Sequence, residues 1–313
     1  MPDPTRPDSA GDYVAFFLYR LFSFFIAALP RPAVLAAGGA AGRLAFRLDG
    51  RHRGIALRNL ALAFGPEKSP GERRAIAVRS FRNAGRVIFE TVKMASLSRA
   101  RVLALVEVEG RRHLDQALAR GRGALIFTAH YGNWEVGCGP ISESAPFGVV
   151  ARTLDNRLID RDLVRMRERL GAAVINKVGA SRRILQALHR NEVVGILIDQ
   201  NVLRREAVFV DFFGKPAGTT PGLAAFHLKT GAPLLPLFID PLPRGRHRLR
   251  ILEPLVIPPS GFPSEDVLKI TQICTKMIER EIRRNPEAWL WVHKRWQSRP
   301  ADERQKSTPG ALP

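Results

Sequence analysis

Hydrophobic and polar positions change rhythm near residue 100. Before that point apolar residues come in helical runs. The first, "YVAFFLYRLFSFFIAALP", is apolar over residues 13–29 except near Arg20 and stops at Pro30. Residues 33–48, rich in Ala and Gly, form a second apolar helix. Two amphipathic helices follow, in "RHRGIALRNLALAFG" and "SPGERRAIAVRSFRNAGRVIFETVKM". Ser69 caps the latter, with Pro70 at its first position and Glu72 placed to close a capping box.

After residue 100, short apolar runs alternate with helical patterns. Strands are predicted in "LVEVEG" (105–110), "GALIFTAH" (123–130), "FGVVAR" (147–152), "AAVIN" (172–176), "VVGILID" (193–199), "APLLPLFID" (232–240) and "HRLRILEPLVI" (247–257). Helices are predicted in 111–121, from Asn133, and in 154–171, 181–191, 220–231 and 264–286. Such alternation predicts an α/β fold, a largely parallel central sheet flanked by helices and preceded by N-terminal hydrophobic and amphipathic helices. Four segments result: a disordered N-terminus (1–12), membrane-associating hydrophobic helices (13–48), a main domain (49–299) and a polar tail (300–313).

The 13–29 segment lacks a basic leader and an evident small-residue cleavage site, so a cleaved signal peptide is not expected. Arg20 interrupts it, which leaves an anchor helix, an interfacial helix whose Arg20 snorkels to the headgroups, or a buried core helix. Five phenylalanines (Phe16, Phe17, Phe22, Phe24 and Phe25) favour the membrane.

Charge narrows the partners. Lys and Arg total 49 against 29 for Asp and Glu, a formal +20, which favours acidic partners or a solvated basic surface. The arginines are scattered and no nucleic-acid motif is evident, so no nucleic-acid partner is expected. Two cysteines, Cys138 and Cys274, form neither a disulfide framework nor a metal site and read as buried small residues.

One stretch carries candidate chemistry. "FTAHYGNWEVG" breaks an apolar strand at His130 and places Glu135 five residues on. On a continuous strand the two side chains would point to opposite faces, and on a helix about 140° apart. They can meet only if the chain turns between them, and Gly132-Asn133 supplies that turn, with Asn133 suited to cap a helix. The carboxylate would then hold one imidazole nitrogen and leave the other as a base, at the end of a sheet where ligands bind. No G-x-S-x-G nucleophile motif is present, so the pair points to direct transfer with the base activating a substrate hydroxyl. No metal or cofactor is expected, because no second His or carboxylate sits at ligand spacing.

"HYGNWE", "VVARTLDNRLID", "VVGILIDQN", "FFGKPAGTTPGLAAFHLKTGAPLLPLF" and "NPEAWLWVHKRWQSRP" occur in that order. Together with "GIALRNLALAFG" they resemble the bacterial lipid A biosynthesis (late) acyltransferase family, within the lysophospholipid acyltransferase superfamily, over about residues 13–299. The Glu-Gly-Thr block of the related glycerol-phosphate acyltransferases is absent. The resemblance implies transfer of an acyl chain from an acyl carrier protein thioester to a hydroxyl of a glycolipid or lysolipid, at the cytoplasmic face of the inner membrane. It implies His130 as general base and Glu135 as its partner, and Arg152 and Asn156 in phosphate or intermediate stabilisation. Asp199 and Gln200 match a further block, where binding and structural roles are both open, and Lys294 and Arg295 would lie near anionic headgroups or in a stacked structural cluster. The other readings are an acyltransferase for another lysophospholipid or glycolipid, and a basic lipid- or nucleic-acid-binding protein without catalysis.

Overall fold

The structure, a computed structural model, describes residues 8–300. The disorder expected of residues 1–7 and the tail beyond residue 300 lie outside the described residues. Four helices come first: α1 (Ala10–Ala28), α2 (Arg31–Leu48), α3 (Gly50–Phe64) and α4 (Pro70–Met94). Then follow α5 (Arg99–Leu103), β1 (Val106–Glu109), α6 (Arg111–Leu118), β2 (Ala124–Thr128), α7 (Cys138–Ile141), β3 (Phe147–Ala151), α8 (Arg157–Arg169), β4 (Ala172–Asn176), α9 (Ala180–His189) and β5 (Val193–Leu197). The remainder comprises β6 (Val208–Phe212), β7 (Lys215–Thr219), α10 (Gly222–Thr230), β8 (Leu234–Pro241), β9 (His247–Ile251) and α11 (Pro263–Arg284).

Local chemistry sets the helix starts. Ser69 and Glu72 form the expected capping box on α4. A second box, unforeseen, opens α1: the Ser9 hydroxyl accepts from the Asp12 amide while the Asp12 carboxylate accepts from the Ser9 amide. Residues 10–12 are therefore helical rather than disordered.

α1 leaves its apolar side chains in the open. Phe17 is 66% and Phe24 69% exposed, and Ile26 alone in the helix is buried. Among the described residues it is the one helix long and apolar enough to cross a membrane. Arg20, largely exposed, bonds Asp162 on α8 at 3.1 Å. α2 behaves differently. Gly38, Gly42 and Gly85 bring α2 and α4 into backbone contact, so one face of α2 is packed on the domain while Leu44 and Leu48 stay exposed.

Seven strands form the central sheet in the order β1-β9-β8-β2-β5-β3-β4, parallel throughout except for the antiparallel β8–β9 pair. One apolar core lies on each face, which is why β2 and β5 read as unbroken apolar runs. β9 stops at Ile251, short of the expected 257, where Pro254 interrupts. The β6–β7 hairpin was not foreseen; it turns tightly at Phe213-Gly214, both with positive φ.

Sheet order creates the crevice. From β2 the chain crosses past β5 to β3, whereas from β5 it goes on to β8, on the other side of β2. Loops leaving the adjacent carboxyl ends of β2 and β5 diverge, and ligands bind α/β sheets at such a point.

A Cβ at Gly42 would stand 2.1 Å from the Phe81 carbonyl oxygen, whereas one at Gly11 would meet nothing nearer than 3.7 Å. Gly42→Ala should therefore destabilise the protein by about 1–3 kcal/mol through overpacking. Gly11→Ala should be neutral or slightly stabilising, and urea unfolding of the two variants distinguishes them.

Candidate active site

His130 stands just past the end of β2, in a segment that is pinned from outside. Leu290 N–H donates to the His130 carbonyl and Gly132 N–H to the Ala288 carbonyl, both at 3.0 Å, so residues 130–132 pair with 288–290. Gly132 has φ +61°, and a Cβ there would lie 1.9 Å from the Ile239 carbonyl oxygen. Only glycine fits this turn.

The imidazole meets a carboxylate, but not the expected one. Nδ1 donates to Asp199 Oδ1 at 2.9 Å, and Asp199 Oδ2 accepts the His130 amide at 2.9 Å and the Trp289 indole at 2.7 Å. Burial by itself would raise the Asp199 pKa. The charge and hydrogen bond of His130, the Trp289 indole and the His130 amide outweigh it and hold the carboxyl at about 2. With Nδ1 committed, Nε2 carries the lone pair and accepts a long hydrogen bond from the Gln200 side-chain amide at 3.3 Å, which a substrate hydroxyl would have to displace. Trp134 meets the ring edge to face, with centroids 4.8 Å apart.

Glu135 is instead gripped by Arg167 of α8 through two parallel bonds of 2.8 and 2.6 Å, and it accepts the Trp134 indole at 3.1 Å. The expected bond from Glu135 to the imidazole is absent, because the chain after Asn133 forms a single 3-10 turn over Trp134–Gly137 that aims the carboxylate at α8. Gly137, Gly139 and Pro140 keep a regular helix from growing there, and α7 is a stub. Cys138 begins that stub fully buried, and burial pushes its thiol well above the ordinary range, which leaves it inert.

Two cavities meet at this point. One of about 320 Å³ lies between α1, α4 and α8, walled by Tyr19, Val87, Ile88, Val92, Leu163 and Met166. The other, about 650 Å³, runs over the carboxyl edge of the sheet and down along it past Ile126, Ile141, Phe147, Val149, Gly195 and Leu237. His130, Trp134 and Glu135 border both. Among the described residues no group of three His, Cys, Asp or Glu side chains is placed to hold a metal ion.

Known proteins share this sequence pattern. The profile of bacterial lipid A biosynthesis acyltransferases matches residues 8–298. The chain belongs to that family. It is 30% identical to the lipid A biosynthesis lauroyltransferase of Escherichia coli (strain K12) over 279 residues, 88% of this chain and 89% of that protein. It is 29% identical to the palmitoleoyltransferase of the same organism over 277 residues, 88% of each chain. It is also 31% identical to the phosphatidylinositol mannoside acyltransferase of Mycobacterium tuberculosis (strain ATCC 25618 / H37Rv) over 245 residues, 76% of this chain and 75% of that protein.

In this lipid A acyltransferase family member, sequence order brings some of the expected residues together and not others. Asp199 and Gln200 join His130. Arg152 borders the larger cavity but is exposed and pairs with Asp155 at 2.7 Å. Asn156 borders neither cavity: its side chain caps α8 through the Leu158 and Ile159 amides and donates to the Asp12 carbonyl at 2.9 Å. Lys294 is exposed. Arg295, for which headgroup contact and a stacked structural cluster were both open, is fully buried, lies over Phe212 and donates to the Gly218 carbonyl at 2.6 Å, so it braces the β6–β7 hairpin. Burial, against the pull of Asp199, pushes its pKa down to about 10. Trp289 and Arg167 went unnoticed. The "EAWLW" stretch quoted for the resemblance held the first; nothing in the spacing marked the second.

His293 gives this site an acid limit. Its Nε2 accepts the Asn201 amide at 2.9 Å, and burial pushes its pKa from 6.5 down to about 4, with Asp199 pulling the other way. The unfolded chain thus takes up a proton near pH 6.5 that the folded chain refuses until about pH 4, so stability falls as pH drops through that window. His293→Gln, which keeps an acceptor without titrating, should flatten the loss between pH 7 and pH 5 in urea midpoints.

Proposed function

We propose that the protein moves a fatty acyl chain from an acyl carrier protein thioester to a hydroxyl of a lipid A precursor or related glycolipid, with His130 as general base. The observation that carries this reading is the His130–Asp199 pair, whose imidazole borders both of two largely apolar cavities. A base without a protein nucleophile suits direct transfer.

In the proposed reaction Nε2 takes the proton of the acceptor hydroxyl as its oxygen attacks the thioester carbonyl. A C–O bond forms, the C–S bond breaks, and the departing thiolate recovers the proton from the imidazolium. Asp199 keeps the proton on Nδ1 and steadies the imidazolium, as the carboxylate of a triad does. One cavity would take the acyl chain and the other the acceptor's apolar part. Glu135, locked to Arg167, would act as a rim that holds Trp134 against the imidazole.

Purified protein, labelled acyl carrier protein thioester and lipid acceptor test this directly: label should enter lipid rather than water. His130→Ala should lower kcat by at least two orders of magnitude, and Asp199→Asn by a comparable factor. Glu135→Gln should cost less. Wild-type turnover by His130→Ala would end the base mechanism.

α1 supports a location at the inner membrane, cytoplasmic face, with its exposed phenylalanines in the lipid. Phe17→Asp combined with Phe24→Asp should shift the protein from the membrane pellet to the supernatant while leaving far-UV circular dichroism unchanged.

A further inference from the structure

Away from His130, a further buried carboxylate near the site is that of Glu90, on α4 and 3% exposed. Three donors from three segments converge on it. Arg31, the first residue of α2, donates a guanidinium N–H. His247 of β9 approaches with Nε2 at 3.0 Å, and Asn133 Nδ2 donates at 2.9 Å. Burial by itself would raise the Glu90 pKa, but His247, Arg31 and Asn133 together lower it, so the group is a carboxylate. Ionised, it can accept all three bonds at once, which no neutral side chain of that size can.

Its partners are not equivalent. Arg31 follows directly on Pro30, the elbow at which α1 ends, and also bonds the Gly245 carbonyl. Lys93, one turn along α4 from Glu90, holds the same elbow by donating to the Ala27 and Leu29 carbonyls at 2.6 and 2.9 Å. At the other end, Asn133 turns its Oδ1 to the Glu135 amide at 3.3 Å and so starts the turn that carries Trp134 and Glu135. Trp134 in turn sits on the edge of the His130 ring.

We infer that Glu90 is a positioning residue for acyl transfer, which ties the α1–α2 elbow to the turn that sets Trp134 against His130. Its effect passes through Asn133, whose amide must present nitrogen to Glu90 and oxygen to the Glu135 amide. The inference rests on the proposed role of His130. Misplacing a catalytic group by about 1 Å from a remote site can cost roughly a hundredfold in rate, so the link is expected to show in kcat rather than in KM.

A donor–acceptor swap tests it. Asn133→Asp keeps an oxygen for the Glu135 amide but sets two carboxylates face to face, and should lower kcat about a hundredfold. Glu90→Gln should lower it about tenfold, with KM for donor and acceptor within about twofold. Combined, the glutamine amide donates to the aspartate, and kcat should recover to near that of Glu90→Gln alone. Losses that multiply in the double variant would overturn the inference. Should Asn133→Asp not fold, Asn133→Ser keeps a capping oxygen, loses the amide N–H that reaches Glu90, and should lower kcat without lowering Tm; full activity would count against the link. On a His130→Ala background Glu90→Gln should change the residual rate less than twofold, and a loss as large as on the wild-type background would also overturn the inference. Wild-type turnover by His130→Ala itself would sink the base mechanism instead, an outcome read separately from the Glu90–Asn133 swap.

Discussion

A carboxylate shut away from water has to be satisfied from within the protein, and Asp199 meets that requirement at the centre of the site. Its three donors come from two places: the amide and ring of His130 after β2, and the indole of Trp289 close to the end of the chain. An unmatched buried charge would cost several kcal/mol, so β2, β5 and the 288–290 segment are bound into one arrangement. The imidazole's direction follows from that arrangement rather than from its own neighbours in sequence. The backbone bridge from residues 130–132 to 288–290 and the bracing of the β6–β7 hairpin by Arg295 hold the same corner from outside.

Much of the fold was legible because both faces of the sheet are covered. Strands such as 124–128 and 193–197 must then be apolar at every position, and helices punctuate them. His130 was legible for the same reason: a polar residue ending a fully buried strand stands out. Its carboxylate partner was misassigned. The neighbourhood of β2 and β5 is a product of crossover order, which puts residues 130 and 199 side by side. Spacing along the chain points to Glu135, five residues away, and cannot see a contact made across strands. The short 3-10 turn after Asn133 was likewise missed, although Gly137, Gly139 and Pro140, which cut the helix short, stand in the sequence. The hairpin at 208–219 escaped because its turn uses a phenylalanine at positive φ, a position where glycine or asparagine would have advertised it.

The N-terminal helices divide in a way that average hydrophobicity does not reveal. α1 and α2 are both apolar, yet the glycines of α2 are spaced to admit another helix backbone, while on α1 Phe16 stacks with Tyr19, Phe22 meets Phe89, and Phe17, Phe24 and Phe25 are exposed. Small residues signal an approach, large ones an exposed face seeking cover. That difference separates a helix that belongs to the domain from one that faces outward.

Two cavities that share only a narrow common wall impose a rule on how such a protein can diversify. Side chains that line only the larger one, such as Ile184 and Leu223, lie in the core on the opposite face of the sheet from Met166, which lines the smaller. Lineages can therefore retune one occupant and keep its counterpart, through substitutions that do not interfere with one another. Residues 130, 134 and 135 have no such freedom, because each belongs to both chambers at once.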